Sequence, residues 1–290
     1  MLLKMLIVNN SILSSYERCE RLYEWKQYHP RIENIHLSAG KALAEAFYSS
    51  RLAFAQDTSA QDAENIGKLA IIDHFNGIDD PLNKKGLSKV LFAFERSNAT
   101  FPLEEFHSFG KDGKPCLEFS FVEPLPLEFQ GEPVLYSGAF DAIRSYGNLT
   151  CGHDDKSSLY IGPKWPEQWS LRGQFIGYAW GAQHYGIKLD GFIIRGVPIA
   201  GDNPPQETII YTPSYLIREW LEKTVQLAKR LLNSIEEKKF YPSLGDSCNA
   251  FGGCMFREIC SLNPENRLDW LQSKFESYEI DPLTKARIMK

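Results

Sequence analysis

Residues 134–158 read VLYSGAFDAIRSYGNLTCGHDDKSS, two strand-like runs joined at Tyr146-Gly147-Asn148, and no other stretch limits the possible folds so strongly. β-formers on both sides of a Gly/Asn turn spell an antiparallel hairpin. CLEFSFVEPLPLEF, from Cys116, alternates like a further strand just before it. Everything upstream is mainly helical. Residues 11–28 predict one helix carrying Cys19, with Ser14 and Glu17 as a capping box, and apolar periodicity predicts helices over 38–54, 61–77 and 86–96. Downstream come a helix at about 169–185, a strand at GFIIRGVPIA, an amphipathic helix at about 213–239 and a loop with three cysteines. This order gives an α/β or mixed α+β protein built on a central mixed sheet. With no repeat, low-complexity tract or linker, the expectation is one domain over 1–290. Its helical part is 11–100, its core 115–240, its cysteine loop 241–262 together with Cys19, and its tail 263–290.

The polar end of the hairpin carries the chemistry. Gly138-x-x-Asp141-x-Ile143 lies on the first strand and Asp154-Asp155-Lys156 ends the second. Antiparallel pairing brings Asp141 and Asp154 near one another, and two hard oxygen donors suit Mg²⁺ or Mn²⁺. The backbone carbonyl of Asp155 adds a candidate ligand. Lys156 alternates back to the face of Asp154, where an ammonium can orient water and neutralise charge developing on a phosphate. D-x-K alone also occurs on solvated surface strands, but here Gln174 and Tyr178 follow as a helical i, i+4 pair with an amide and a phenol on one face. His153 is read as an outward strand residue, and Glu118 as solvated or packing.

A net charge of −5 gives no global sign of nucleic-acid binding, so such contact needs a local basic lining, with Lys156, Lys164 and Arg172 as candidates. No run approaches the roughly 18 apolar residues of a membrane span, and MLLKMLIVNNSILSS has no small-residue cleavage site. A soluble, cytoplasmic, membrane-free protein is expected. In that setting six cysteines point to metal ligands or buried thiols rather than disulfides. Cys248, Cys254 and Cys260 lie in CNAFGGCMFREIC, where Gly252 and Gly253 permit a tight loop, and Cys19 is the candidate fourth ligand. Four thiolates suit a 4Fe-4S cluster or zinc, and three buried free thiols are the alternative. Cys116 and Cys151 read as core residues.

Taken together, these motifs resemble the RecB-like nucleases of the PD-(D/E)XK superfamily. The pattern G-x-x-D, D-x-K followed by Ser or Thr, and Q-x-x-x-Y is matched by Gly138 with Asp141, by Asp154, Lys156 and Ser157, and by Gln174 with Tyr178. Trp165, Trp169, Tyr178 and Trp180 give an aromatic context similar to phage-encoded members. The resemblance implies a restriction-endonuclease-like core in which Asp141 and Asp154 bind the metal, Lys156 is catalytic, and Gln174 and Tyr178 support the site. It also implies that the four cysteines form the 4Fe-4S staple of AddB-like and CRISPR-associated relatives, joining the N- and C-terminal segments. The expected function is Mg²⁺- or Mn²⁺-dependent DNA cleavage, as an exonuclease on single strands or DNA ends. Recombination, repair or phage replication, with a partner protein from one of them, is the setting. For a phage-encoded member the location is the host cytoplasm.

One position departs from the pattern. Such nucleases often carry G-x-x-x-H on an early helix, and here Gly40 is followed at that spacing by Ala44. Glu45 is the possible substitute ligand, although a helix turns it about 100° away. The departure supports an alternative, a catalytically inactive iron-sulfur subunit for DNA binding or assembly. Electron transfer by the cluster is a third possibility.

Overall fold

The computed structural model describes residues 6–28, 35–76, 79, 82–108, 115–250 and 253–275. The class is mixed α and β, with a central mixed sheet flanked by helices. The chain divides into two compact units: residues 1–32, 122–138 and 218–290 in one, residues 33–121 and 139–217 in the other.

The first unit begins with β1 (Leu6–Asn9), which pairs in parallel with residues 134–137. Asn9 ends the strand and at once caps α1 (Asn10–Arg18), its side chain accepting from the Ile12 N–H at 2.9 Å. The helix therefore starts at an Asn cap, and the Ser14–Glu17 capping box does not form because Ser14 is already inside it. The expected single helix over 11–28 is also two. Cys19 has extended backbone (φ −170°, ψ 121°) between α1 and α2 (Glu20–Tyr28). Its thiol accepts from the Ser243 N–H at 3.4 Å.

In the second unit, α3 (Ile35–Ala55), α4 (Ala60–Phe75) and α5 (Leu87–Thr100) pack around Phe47, Ile71, Phe75 and Phe94. Ser59 starts α4 by accepting from the Asp62 N–H at 3.2 Å. β2 (Leu117–Phe129) and β3 (Glu132–Tyr146) pass through both units, β3 turning at Gly147 into β4 (Leu149–Ser158). The helix read from 169 begins only at Gly173, as α6 (Gly173–His184), because residues 166–169 form a separate 3-10 turn led by Pro166. β5 (Gly191–Pro198) follows, and then β6 (Gln206–Tyr211), a short strand with little alternation in QETIIY. β4 lies antiparallel to β3 and parallel to β5, and β6 closes antiparallel on β5. α7 (Ser214–Glu237) leads back to the first unit, which ends with α8 (Arg257–Cys260) and α9 (Arg267–Lys274). Residue 252 and the tail from 276 lie outside the described residues. Among those described, no helix is long and apolar enough to cross a membrane.

Every residue of β5 is buried, Arg195 included, as in a strand covered on both faces. Val197 faces the α3–α5 core, while the Phe192 ring lies 5.3 Å from Phe175 of α6. Gly152, opposite Phe192 in the parallel register, makes this packing possible: a Cβ there would meet the ring at 2.1 Å. Gly152→Ala is therefore expected to cost about 1–3 kcal/mol, read as a lower midpoint in urea at unchanged slope.

Candidate active site

The register that pairs Ala142 with His153 puts Asp141 and Asp154 one step further along the same two strands. The Asp155 N–H donates to Asp141 Oδ2 at 2.6 Å, and Lys156 pairs with Asp154 Oδ2. Asp141, Asp154 and Lys156 thus form one cluster, as the alternation of a strand requires. Gln174 and Tyr178, one turn apart on α6, are joined by a 2.7 Å hydrogen bond, and Phe175 between them lies 5.8 Å from the Lys156 ammonium.

Burying like charges together has electrostatic consequences. Asp141 is held well above the usual carboxylate range, first by burial and then by the charges of Asp154 and Asp155. Burial also pushes Asp154 up to about 6, although Lys156 draws it down. For Lys156 burial acts downward, but the Asp154 charge and hydrogen bond outweigh it and leave the ammonium above its ordinary value. Burial, then the Asp154 charge, push the Tyr178 phenol up to about 12, so it is a neutral hydroxyl at physiological pH.

Glu118 had the look of a solvated strand residue, and as a whole it is exposed. Its carboxyl end is nevertheless partly desolvated and is raised further by the charges of Glu45 and Asp154. Glu45 thus stands at the edge of the same acidic group, where Ala44 offers no ligand. The hint in the sequence was that Glu118 precedes the hairpin by one strand. Lys164 sits in the turn before Pro166, and Arg172 is stacked 5.3 Å from Trp169 while donating to the Gln168 carbonyl at 2.9 Å.

His153 reverses its expected orientation. It is fully buried, because its face of β4 looks into the unit rather than to solvent, and burial pushes its pKa down to about 4. Its Nε2 lies 3.2 Å from Asp155 Oδ1. Burial opposes ionisation of Asp155 too, but Arg51, His153 and Arg195 prevail and hold it well below the ordinary value.

Does this donor set fit a hard cation? Among the described residues no group of three or more His, Cys, Asp or Glu side chains is arranged to hold a metal. Two carboxylates do converge, and Asp154 Oδ2 is buried with no hydrogen bond beyond its ion pair. Mg²⁺ characteristically takes one or two carboxylates and fills the rest of its coordination with water and substrate phosphates, so the set fits. A sign follows for pH. An aspartate raised from 3.8 to about 6 favours the fold below its unfolded value and loses that contribution as pH rises through 6. A cation bound by the ionised pair reverses the loss. Added Mn²⁺ is therefore expected to raise the melting temperature at pH 8 and have little effect at pH 5. Taking the difference with and without Mn²⁺ at each pH cancels the opposing titration of His153.

The first unit holds the thiols. Cys19, Cys248, Cys254 and Cys260 all line one small apolar cavity, with Trp25, Leu22 and Phe256 beside them. All four are free thiols, and burial raises Cys260, with Cys19 and Cys254 adding to the effect. Arg18 braces the loop by donating to the Ser247 carbonyl at 2.8 Å. Thiolates suit a thiophilic centre by donor chemistry, and the four share one apolar cavity, but as placed no three of them are arranged around a common metal position. Cys116 and Cys151 lie apart in the second unit, Cys151 wholly buried.

No protein-family model and no curated protein matches the chain. Solved structures do. A protein from Eubacterium rectale provisionally described as an exonuclease is 15% identical, with 86% of this chain and 88% of that one covered and a TM-score of 0.47. The protein SSO0001 is 18% identical over 50% of this chain and 59% of its own, with a TM-score of 0.32.

Proposed function

We propose that the protein is a metal-dependent DNA nuclease that hydrolyses phosphodiester bonds, working as an exonuclease on single strands or DNA ends. The observation that carries the reading is the partly buried cluster of Asp141, Asp154 and Lys156 towards the end of β4. Burial, with the Asp154 and Asp155 charges, raises Asp141, and burial, with the Asp155 charge, raises Asp154, a cost that a cation-binding site accounts for. Asp141, Asp154 and the Asp155 carbonyl would hold Mg²⁺ or Mn²⁺, whose chemistry is to lower the pKa of water and clamp the phosphate. The Lys156 ammonium orients the attacking water and neutralises charge on the phosphate oxygens. Tyr178 Oη accepts from Gln174 and keeps its own proton to donate towards the phosphate or the water. Phe175 lies 5.8 Å from the Lys156 ammonium, within cation–π range.

Cys19, Cys248, Cys254 and Cys260 would hold a 4Fe-4S cluster that staples the start of the chain to its C-terminal loop. DNA is the proposed partner, met by Lys156, Lys164 and Arg172. Ala44 favours a second reading, an iron-sulfur DNA-binding subunit without cleavage.

The test is incubation with 5′- and 3′-labelled DNA in Mn²⁺, with and without EDTA. EDTA-sensitive cleavage supports the nuclease; DNA binding without cleavage supports the second reading. Affinity is expected to fall steeply with salt, since each phosphate contact releases counterions. A flat salt dependence contradicts the basic lining.

A further inference from the structure

Behind the carboxylate cluster, on the opposite face of β4, lies a second set of charges that the proposed chemistry leaves unused. The Asp155 carboxylate accepts from Arg51 Nη1 at 2.6 Å, lies 3.2 Å from His153 Nε2 and 4.0 Å from Arg195 Nε. Arg51 and Arg195 keep only 3% of their side-chain surface exposed, and Asp155 only 6%. Aromatic rings flank the guanidiniums: Phe106 lies 4.1 Å and Phe47 4.9 Å from that of Arg51, and Phe101 lies 4.5 Å from that of Arg195. Glu207 on β6 completes the set, receiving Arg195 at 2.8 Å and Arg144 at 3.1 Å.

A surface ion pair would need no explanation, being worth little. A buried one is different, because desolvating the charges costs several kcal/mol per ion, and packing alone would be served as well by apolar side chains. The same residue whose side chain is so heavily held also presents its backbone to the site. The Asp155 N–H grips Asp141 Oδ2 at 2.6 Å, and its peptide lies between Asp154 and Lys156. Arg51 is carried by α3, the helix of Glu45, and Gly40 lets that helix come close to β4: a Cβ there would stand 3.3 Å from Ser157 Oγ.

We propose that Arg51, acting through the Asp155 carboxylate, is a positioning residue for the metal site. It fixes the Asp155 peptide so that Asp141 and Asp154 are presented to one cation, and it sets the register of α3 on β4. This rests on the nuclease reading, since it assigns the network a role at that site. Residues that orient metal ligands from behind typically change metal affinity 10–100-fold when removed.

The experiment separates positioning from folding. Arg51→Met alone strands a buried aspartate and is expected to destabilise the protein. The double variant Arg51→Met/Asp155→Leu replaces the pair with apolar groups, which buried pairs often tolerate without loss of stability. Two readouts follow, Mn²⁺ affinity by calorimetry and exchange of the Asp155-site amide in the metal-free protein. A melting temperature within a few degrees of wild type, with Mn²⁺ affinity down at least about tenfold and faster amide exchange, supports the proposal. Recovery of both affinity and protection along with stability overturns it, leaving the pair a packing device while the nuclease reading stands. If the double variant melts far below wild type, Arg51→Lys, which keeps the charge but not the fork, is measured instead and judged by the same affinity loss. Wild-type protein that neither binds Mn²⁺ nor cleaves DNA removes the nuclease reading and this inference with it.

Discussion

Cys19→Ala is expected to abolish iron binding and to leave a colourless protein whose first unit melts well below that of the wild type. Four thiols from both ends of the sequence share one cavity. A metal held this way contributes its binding free energy to folding, because the unfolded chain offers no formed site. If the proposed cluster is present, losing one of its four ligands removes it and the tie between α1–α2 and the 241–262 loop together. Wild-type protein purified without oxygen should be brown, with four iron and four sulfide per chain on a 4Fe-4S assignment. Stoichiometric zinc and no iron in that preparation would sink the iron assignment while keeping the four ligands. A Cys19→Ala protein with undiminished iron would remove Cys19 from the set. Cys151→Ala is the control: it changes only a buried thiol in the other unit and should keep the colour.

What the sequence made legible was local. The hairpin was readable because Gly147 and Asn148 separate two runs of β-formers, and its register then followed from alternation: Asp154 and Lys156 share a face whatever lies around them. Asn9 was overlooked as a cap because the strand before it, only Leu6–Asn9, is too short to announce itself. The break at Cys19 has no marker in ERCERLYEW, since neither proline nor glycine is present and the kink comes from contacts with residues more than 200 positions away. His153 looked outward for a related reason. Alternation tells which residues share a face but not whether that face is covered, and the cover is supplied by Arg51 and Phe106, distant in the chain. Glu118 joined the acidic group through the same kind of long-range placement.

The catalytic assignment carries the other large effect. Asp141→Ala, Asp154→Ala and Lys156→Ala are each expected to lower cleavage by about 10²–10³-fold or more, the scale of removing a preorganised electrostatic contact from a transition state. The aspartate variants should lose Mn²⁺ affinity as well, because they remove a ligand. The lysine variant should keep the cation and fail at the chemical step, lowering kcat with little change in KM. Folding should survive in the aspartate variants, since each removes a carboxylate that burial disfavours in its charged form. A wild-type melting transition in all three separates lost chemistry from lost structure.

The most direct measurement compares wild type with Lys156→Ala on end-labelled DNA in Mg²⁺, both proteins freed of contaminating nucleases and matched for Mg²⁺ occupancy. The account predicts EDTA-sensitive release of labelled nucleotides by the wild type and almost none by the variant at equal metal occupancy. Cleavage by Lys156→Ala at the wild-type rate would contradict it.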